Sequence, residues 1–314
     1  GTQSNLELYP WHDWPVCTLV VPDQAGASRH NSSRFSGDRR LVPRCPDLRS
    51  GPARHRQHYR VQAFNEAFDA NGDKRGDDPN QATGGNMDGP VRRGIFNGML
   101  SWEKPWCLPF RDLLAHPKNV PYLDTLLGRG WKMDHSPFML TGGKGTEGLR
   151  IHGATSARFN GSAYYTFANG MMRCGMIVCQ FQLADVAEGD GGLCVIPGSH
   201  KANFKCPEEI LLWEDHQEIV YNVPSKAGDM TIFNEATLHG TIPWTAEHER
   251  RSLLYRYSPK YLHFAGGTYE TKQPEWVSEL TEAQQAVLEP PYIYNRPLVA
   301  EDGETVDRPR SHMP

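Results

Sequence analysis

The chain has no run of about 20 apolar residues, the length that a membrane-crossing helix needs. Its first residues, Gly1-Thr2-Gln3, have neither the basic nor the apolar stretch that opens a secretory leader. These absences predict a soluble, cytoplasmic protein without a membrane partner. Paired cysteines are missing as well: the seven stand at 17, 45, 107, 174, 179, 194 and 206 with no Cys-x-x-Cys. An odd, irregular set of this kind argues against a disulfide framework and against zinc. No Gly-rich phosphate loop and no Ser/His/Asp signature stands out. Two local absences matter more. Between Gly148 and Ala184 there is no Asp or Glu, and between Arg29 and Arg60 there is no lysine.

What is present is enough for a large core. Of 314 residues, 38% are hydrophobic, which excludes a disordered chain, and 30 Gly with 24 Pro demand many loops. The stretch VQAFNEAFDAN from Val61 carries Val61, Phe64, Ala67 and Phe68 at helical spacing, with Gly72 as its stop. Residues 72–90 read as loop. PFRDLLAHPKNVPYLDTLLG reads as helix broken by Pro117 and Pro121. Beyond Gly130 come short strand-like runs, among them KMDHSPFML, GLRIHGA, AYYTFA, GMIVCQFQL, GLCVIP, EIVYNV, DMTIF and SLLYRYSP. Helices first and many short strands after predict a mainly β fold with flanking helices, one barrel or sandwich from 61 to 314. Residues 1–60 then form a separate arm or lid. That arm holds nine arginines from Arg29 to Arg60 against Asp38 and Asp47, although the whole chain nets −4. It is either a solvated surface or an anion-binding segment; arginine without lysine tilts towards the anion.

Of thirteen histidines, two stand out. His152 ends a strand-like run in GLRIHGA, and His239 ends the apolar run of GDMTIFNEATLHG. Imidazoles at the ends of two distant strands are how a barrel assembles metal ligands at its mouth. His200, in PGSHK, reads as a structural turn residue. His135 is balanced between pocket and core, and Trp244 with Tyr164, Tyr165 and Phe167 either walls a site or fills the barrel.

QLADVAEGDGGLCVIPGSHK (182–201), AGDMTIFNEATLHGTIPW and HERRSLLYRYSP resemble the phytanoyl-CoA dioxygenase-like branch of the Fe(II)- and 2-oxoglutarate-dependent oxygenases, over roughly residues 105–262. The resemblance implies a double-stranded β-helix (jelly-roll) core, with His152 and His239 as iron ligands, 2-oxoglutarate as co-substrate and O2 as oxidant. It also implies an arginine eleven residues after the second histidine, gripping the far carboxylate of 2-oxoglutarate. That position is Arg250. A guanidinium fork clamps a carboxylate through two parallel bonds; a register error of one residue would hand the role to Arg251. Trp244 and His135 are expected beside the co-substrate.

The family pattern His-x-Asp is broken, because the sequence reads His152-Gly153-Ala154. Three explanations stand. Chloride could occupy the place of the carboxylate beside Ala154. His-x-Ala resembles the iron-dependent aliphatic halogenases, in which a ferryl-oxo group abstracts hydrogen and the substrate radical rebounds onto the halide. A carboxylate from elsewhere, Glu235 or Asp134, could substitute and give a hydroxylase. Or the fold has lost iron and serves as a metal-free binding protein. The first is the leading expectation: a halogenase chlorinating an unactivated C–H of a small, anionic, nucleotide-like metabolite of the kind found in nucleoside-antibiotic biosynthesis. The arm, together with Arg92, Arg93, Lys144, Arg158 and Arg173, motivates the anionic substrate. Nucleic-acid polymer binding is not expected, for no alternation of aromatic and basic residues tracks a strand.

Overall fold

The computed structural model describes residues 18–21, 61–80, 84–154, 161–264 and 273–309; the arginine arm of the sequence analysis, apart from 18–21, lies outside them. The strands in chain order are β1 Thr18–Val21, β2 Gly76–Asp77, β3 Gly94–Phe96, β4 Lys132–Met133, β5 Phe138–Gly142, β6 Leu149–His152, β7 Tyr165–Ala168 and β8 Met171–Cys174. They continue as β9 Ile177–Gln182, β10 Gly192–Val195, β11 Tyr221–Asn222, β12 Met230–Asn234, β13 His239–Ile242, β14 Arg250–Ser258, β15 Leu298–Val299 and β16 Val306–Asp307. Helices α1 Val61–Ala70, α2 Leu108–Asp112, α3 Val120–Leu127, α4 Glu208–Leu211 and α5 Glu282–Leu288 flank them.

Two sheets build the jelly roll. The larger runs β1-β12-β9-β14-β5-β3-β2, with β4 also on β14, and the smaller runs β11-β10-β13-β6. Strand parity decides what each face does. In β14, Leu253, Tyr255 and Tyr257 pack outwards with α1, α2, α3 and α5, in a core that also holds Phe64, Phe68, Phe110 and Leu123. The alternate Leu254 faces between the sheets with Leu140, Val178, Leu193, Val195 and Phe233. Arg250, Ser252 and Arg256 share its parity. A third cluster, Met87, Ile151, Cys194, Leu211, Leu238 and Ile242, covers the back of the smaller sheet. β9 is buried on both faces throughout: Ile177, Cys179 and Phe181 join the outer core, while Gln180 and Gln182 share the inward parity of Val178 and are buried with it.

Several expectations need correction. Residues 72–90 are not all loop: they contain β2 and the 3-10 turns Gly72–Lys74 and Gly85–Met87. EIVYNV reduces to Tyr221–Asn222, and His239 opens β13 rather than closing the run before it. The C-terminal extension holds α5, whose N-terminus is a capping box: Thr281 and Gln284 each bond the other's backbone N–H. Among the described residues no helix is long and apolar enough to cross a membrane.

Candidate metal centre

The site forms where the two sheets meet at one end of the roll. His239 pairs with Val195 on one side and His152 on the other, so the two imidazoles come from neighbouring strands. Their ring centroids lie 4.3 Å apart. Gly153 is tied to this close approach, since a Cβ there would sit 2.7 Å from the Thr237 carbonyl oxygen. The tautomers follow from the partners. His152 Nδ1 lies 2.9 Å from the Arg150 carbonyl and His239 Nδ1 lies 2.7 Å from the Thr237 carbonyl. A carbonyl only accepts, so Nδ1 carries the proton in both rings and each Nε2 offers a lone pair. This is the arrangement in which histidine binds a metal.

The turn between β12 and β13 adds the third group. Glu235 Oε2 lies 3.6 Å from His239 Nε2, and one ligand atom each of His152, Glu235 and His239 falls within 4.8 Å of the others. Burial opposes ionisation of Glu235, but His239, Arg256 and His152 together outweigh it and hold the carboxyl down at about 2. Burial, with His152 beside it, pushes the His239 imidazole down to about 4 against the pull of Glu235. At neutral pH the carboxylate is therefore charged and His239 is neutral, the state in which both can ligate. Two neutral imidazoles and a carboxylate fit a divalent iron by donor type and number.

Glu235 shares strand parity with His239 in the sequence, yet it reaches the histidines through a tight turn, in which Asn234 Oδ1 accepts the Thr237 N–H at 2.9 Å. Asp134 is not brought into the cluster. It is buried beneath His135, accepts the Phe264 N–H at 3.0 Å, and pairs through Oδ1 with His135 Nδ1 at 3.0 Å. Ala154 follows His152 and Gly153, its N–H pointing to the Ala236 carbonyl at 3.4 Å. It is thus beside the Glu235 turn. His135 Nε2 meets Arg256 at 3.1 Å.

Arg250 is 4% exposed. Its Nε donates to Ser252 Oγ at 3.2 Å, and that hydroxyl in turn donates to Gln182. Among the described residues no carboxylate pairs with it. Burial, then Arg93, push its guanidinium down to about 10. Trp244 stands next to it: a Cβ on Gly192 would lie 3.4 Å from Arg250 Nε and 3.5 Å from Trp244 Cζ3. Arg251 points to the other face and pairs with Asp69 at 2.6 Å and Glu249 at 2.7 Å. The cations flanking the site are also committed: Arg92 to Glu147, Arg93 to Asp78 and Lys144 to Glu247. Arg173 donates to the Met172 carbonyl, and Arg158 lies outside the described residues.

A model of the phytanoyl-CoA dioxygenase (PhyH) family matches residues 55–252. The chain belongs to that family. It is a family of the non-haem iron, 2-oxoglutarate-dependent oxygenase type. The fold is similar to that of HygX from Streptomyces hygroscopicus with nickel and 2-oxoglutarate bound, at 18% identity, TM-score 0.56, covering 79% of this chain and 85% of HygX. With hygromycin B also bound, HygX gives 19% identity and a TM-score of 0.55, again over 79% of this chain and 85% of HygX. Among curated proteins none matches.

His200 is 6% exposed, its ring stands edge-on to Tyr165 at 4.7 Å, and among the described residues neither ring nitrogen has a hydrogen-bond partner. Burial, then Lys201, push its pKa from 6.5 down to about 4. The folded protein keeps this ring neutral while the unfolded chain takes up a proton, so stability falls as pH drops below 6.5 and levels off below about 4. The loss is about 1–3 kcal/mol. His200→Leu should lessen that slope without abolishing it, because His239 is pushed down into the same range; the readout is the urea midpoint across pH 4 to 7, and an unchanged slope would show that His200 does not contribute to it.

Proposed function

We propose that this protein is an Fe(II)- and 2-oxoglutarate-dependent oxygenase that hydroxylates a small molecule, with iron held by His152, Glu235 and His239. The observation that carries the reading is the approach of Glu235 to both histidines, within 4.8 Å. Three protein ligands and a chelating 2-oxoglutarate fill five of roughly six positions, which leaves one for dioxygen and none for a halide. Bound there, the iron supplies dioxygen activation driven by the oxidation of 2-oxoglutarate. The protein's own groups do the rest. Arg250 takes the far carboxylate of 2-oxoglutarate, which answers its uncompensated buried charge. Gly192 lies opposite Ile242 and Val195 opposite His239, so Arg250 and the histidines sit near opposite ends of a four-residue strand, roughly 10 Å of backbone apart. Trp244 covers the Arg250 end, excluding water from that pair.

Halogenation is the second reading. It is favoured by Ala154, which stands where the family's carboxylate is expected, and by the ion pair that already engages Glu235, Arg256 Nε to Oε1 at 3.1 Å. If Glu235 stayed with Arg256, chloride could take the position beside Ala154. Anaerobic titration of Fe(II) and 2-oxoglutarate, followed by visible absorption with and without chloride, separates the two. The hydroxylase reading expects a spectrum indifferent to chloride. A chloride-dependent shift, abolished by Ala154→Asp, would establish the halogenase.

The substrate class rests on less of the molecule. With Arg92, Arg93 and Lys144 already paired, the case for an anionic, nucleotide-like substrate lies with the arginines of residues 29–60 as a lid. A nucleoside monophosphate should then bind at least tenfold more tightly than its nucleoside, because each arginine–phosphate pair is worth roughly 1.5–3 kcal/mol. Equal binding would return the arm to a solvated surface.

A further inference from the structure

Glu235 is the last member of a partly buried chain of polar groups that the triad alone does not explain. Arg256 Nε donates to Glu235 Oε1 at 3.1 Å, while its Nη1 lies 3.1 Å from His135 Nε2. A guanidinium can only donate, so His135 Nε2 accepts, and the ring proton sits on Nδ1, which donates to Asp134 Oδ1 at 3.0 Å. The Asp134 side chain is fully buried and is anchored by the Phe264 N–H through its other oxygen at 3.0 Å. Phe138 lies under the guanidinium, 4.8 Å from ring centroid to Cζ. Every donor direction in Asp134–His135–Arg256–Glu235 is therefore fixed by chemistry. The row ends with one oxygen of Glu235 engaged and the other, Oε2, turned to His239 Nε2.

We infer that Arg256, held by His135 and Asp134, is a positioning residue that occupies Glu235 Oε1 so that the carboxylate offers iron a single oxygen. The inference rests on the triad reading above and deepens it. A carboxylate free at both oxygens can chelate a divalent ion and take an extra coordination position, at the expense of 2-oxoglutarate. Arginine is suited to this task, because its fork reaches two acceptors in one plane whereas an ammonium is a point charge.

The test uses full-length protein loaded with Fe(II) under anaerobic conditions, reading iron content, 2-oxoglutarate affinity and the metal-to-ligand absorption band. Arg256→Met should keep about one iron per chain but lose at least tenfold in 2-oxoglutarate affinity, with a weakened band. Arg256→Lys should behave likewise, since charge without the fork does not hold both acceptors. His135→Phe leaves the guanidinium in place and frees its far end, so it should shift affinity in the same direction by a smaller factor; it also serves where the Arg256 variants fail to fold. Wild-type affinity and absorption in a folded Arg256→Met protein, or wild-type values in His135→Phe, would overturn the inference while leaving the triad intact. Loss of iron from folded Arg256→Met would overturn the single-oxygen account. Iron retained by Glu235→Ala would instead remove the triad reading beneath it.

Discussion

Glu235→Ala should strip the protein of Fe(II). The carboxylate supplies the one negative protein charge among the three ligands, and without it two neutral imidazoles face a divalent cation beside the positive charge of Arg256. Loss of a group that merely orients a ligand costs roughly 10–100-fold in metal affinity, so loss of a ligand itself should cost at least about 100-fold. His152→Ala and His239→Ala should match it. The buried ion pair of Glu235 with Arg256 adds a second consequence, for its removal leaves a desolvated guanidinium and should lower the melting temperature of the metal-free protein. Glu235→Gln keeps the shape and should lose iron with less damage to stability. Iron near one per chain in folded Glu235→Ala, with a spectrum that responds to chloride, would move the assignment to the halogenase and make Ala154 the halide position.

The sequence made much of this legible because strands and imidazoles leave local signatures. The helix from Val61 was readable from the spacing of Phe64, Ala67 and Phe68, which indeed pack inwards. The His152–Gly153–Ala154 departure and the arginine eleven residues after His239 were visible only against the pattern that the family resemblance implies. The hairpin β7–β8 was half seen, since Met171–Cys174 alternates in burial while its residues, Met-Met-Arg-Cys, do not alternate apolar with polar. Parity along one strand could not place Glu235, because the chain turns between Asn234 and His239; in such a turn the side-chain period of two no longer applies. Arg256 and His135 were hidden for a further reason. They lie 121 positions apart, and no local pattern marks two residues that meet only across a sheet. The choice between Arg250 and Arg251 is of the opposite kind: adjacent residues on a strand face opposite ways, so the sheet's pairing separates them at once, Arg251 to the ion pair with Asp69 and Arg250 to the interior.

That separation sets up the other large effect. Arg250→Ala should weaken 2-oxoglutarate binding by at least tenfold and leave iron in place. Truncating one partner of a buried charge pair costs roughly 2–5 kcal/mol, and each 1.4 kcal/mol is about a factor of ten. The buried guanidinium meets no carboxylate among the described residues, and burial together with Arg93 already pushes its pKa down to about 10. Without 2-oxoglutarate it is therefore a desolvated cation whose charge is uncompensated, and removing it should leave the melting temperature of the co-substrate-free protein unchanged or higher. With saturating 2-oxoglutarate the order should reverse, because the wild type gains stability from ligand binding and the variant gains little. Arg251→Ala provides the contrast: it breaks exposed ion pairs with Asp69 and Glu249, each worth about 0–1 kcal/mol, and should leave 2-oxoglutarate affinity unaltered. If Arg251→Ala weakens 2-oxoglutarate binding and Arg250→Ala does not, the co-substrate lies on the other face of β14. If neither does, the anchor is some other cation and the uncompensated charge of Arg250 needs a different anion.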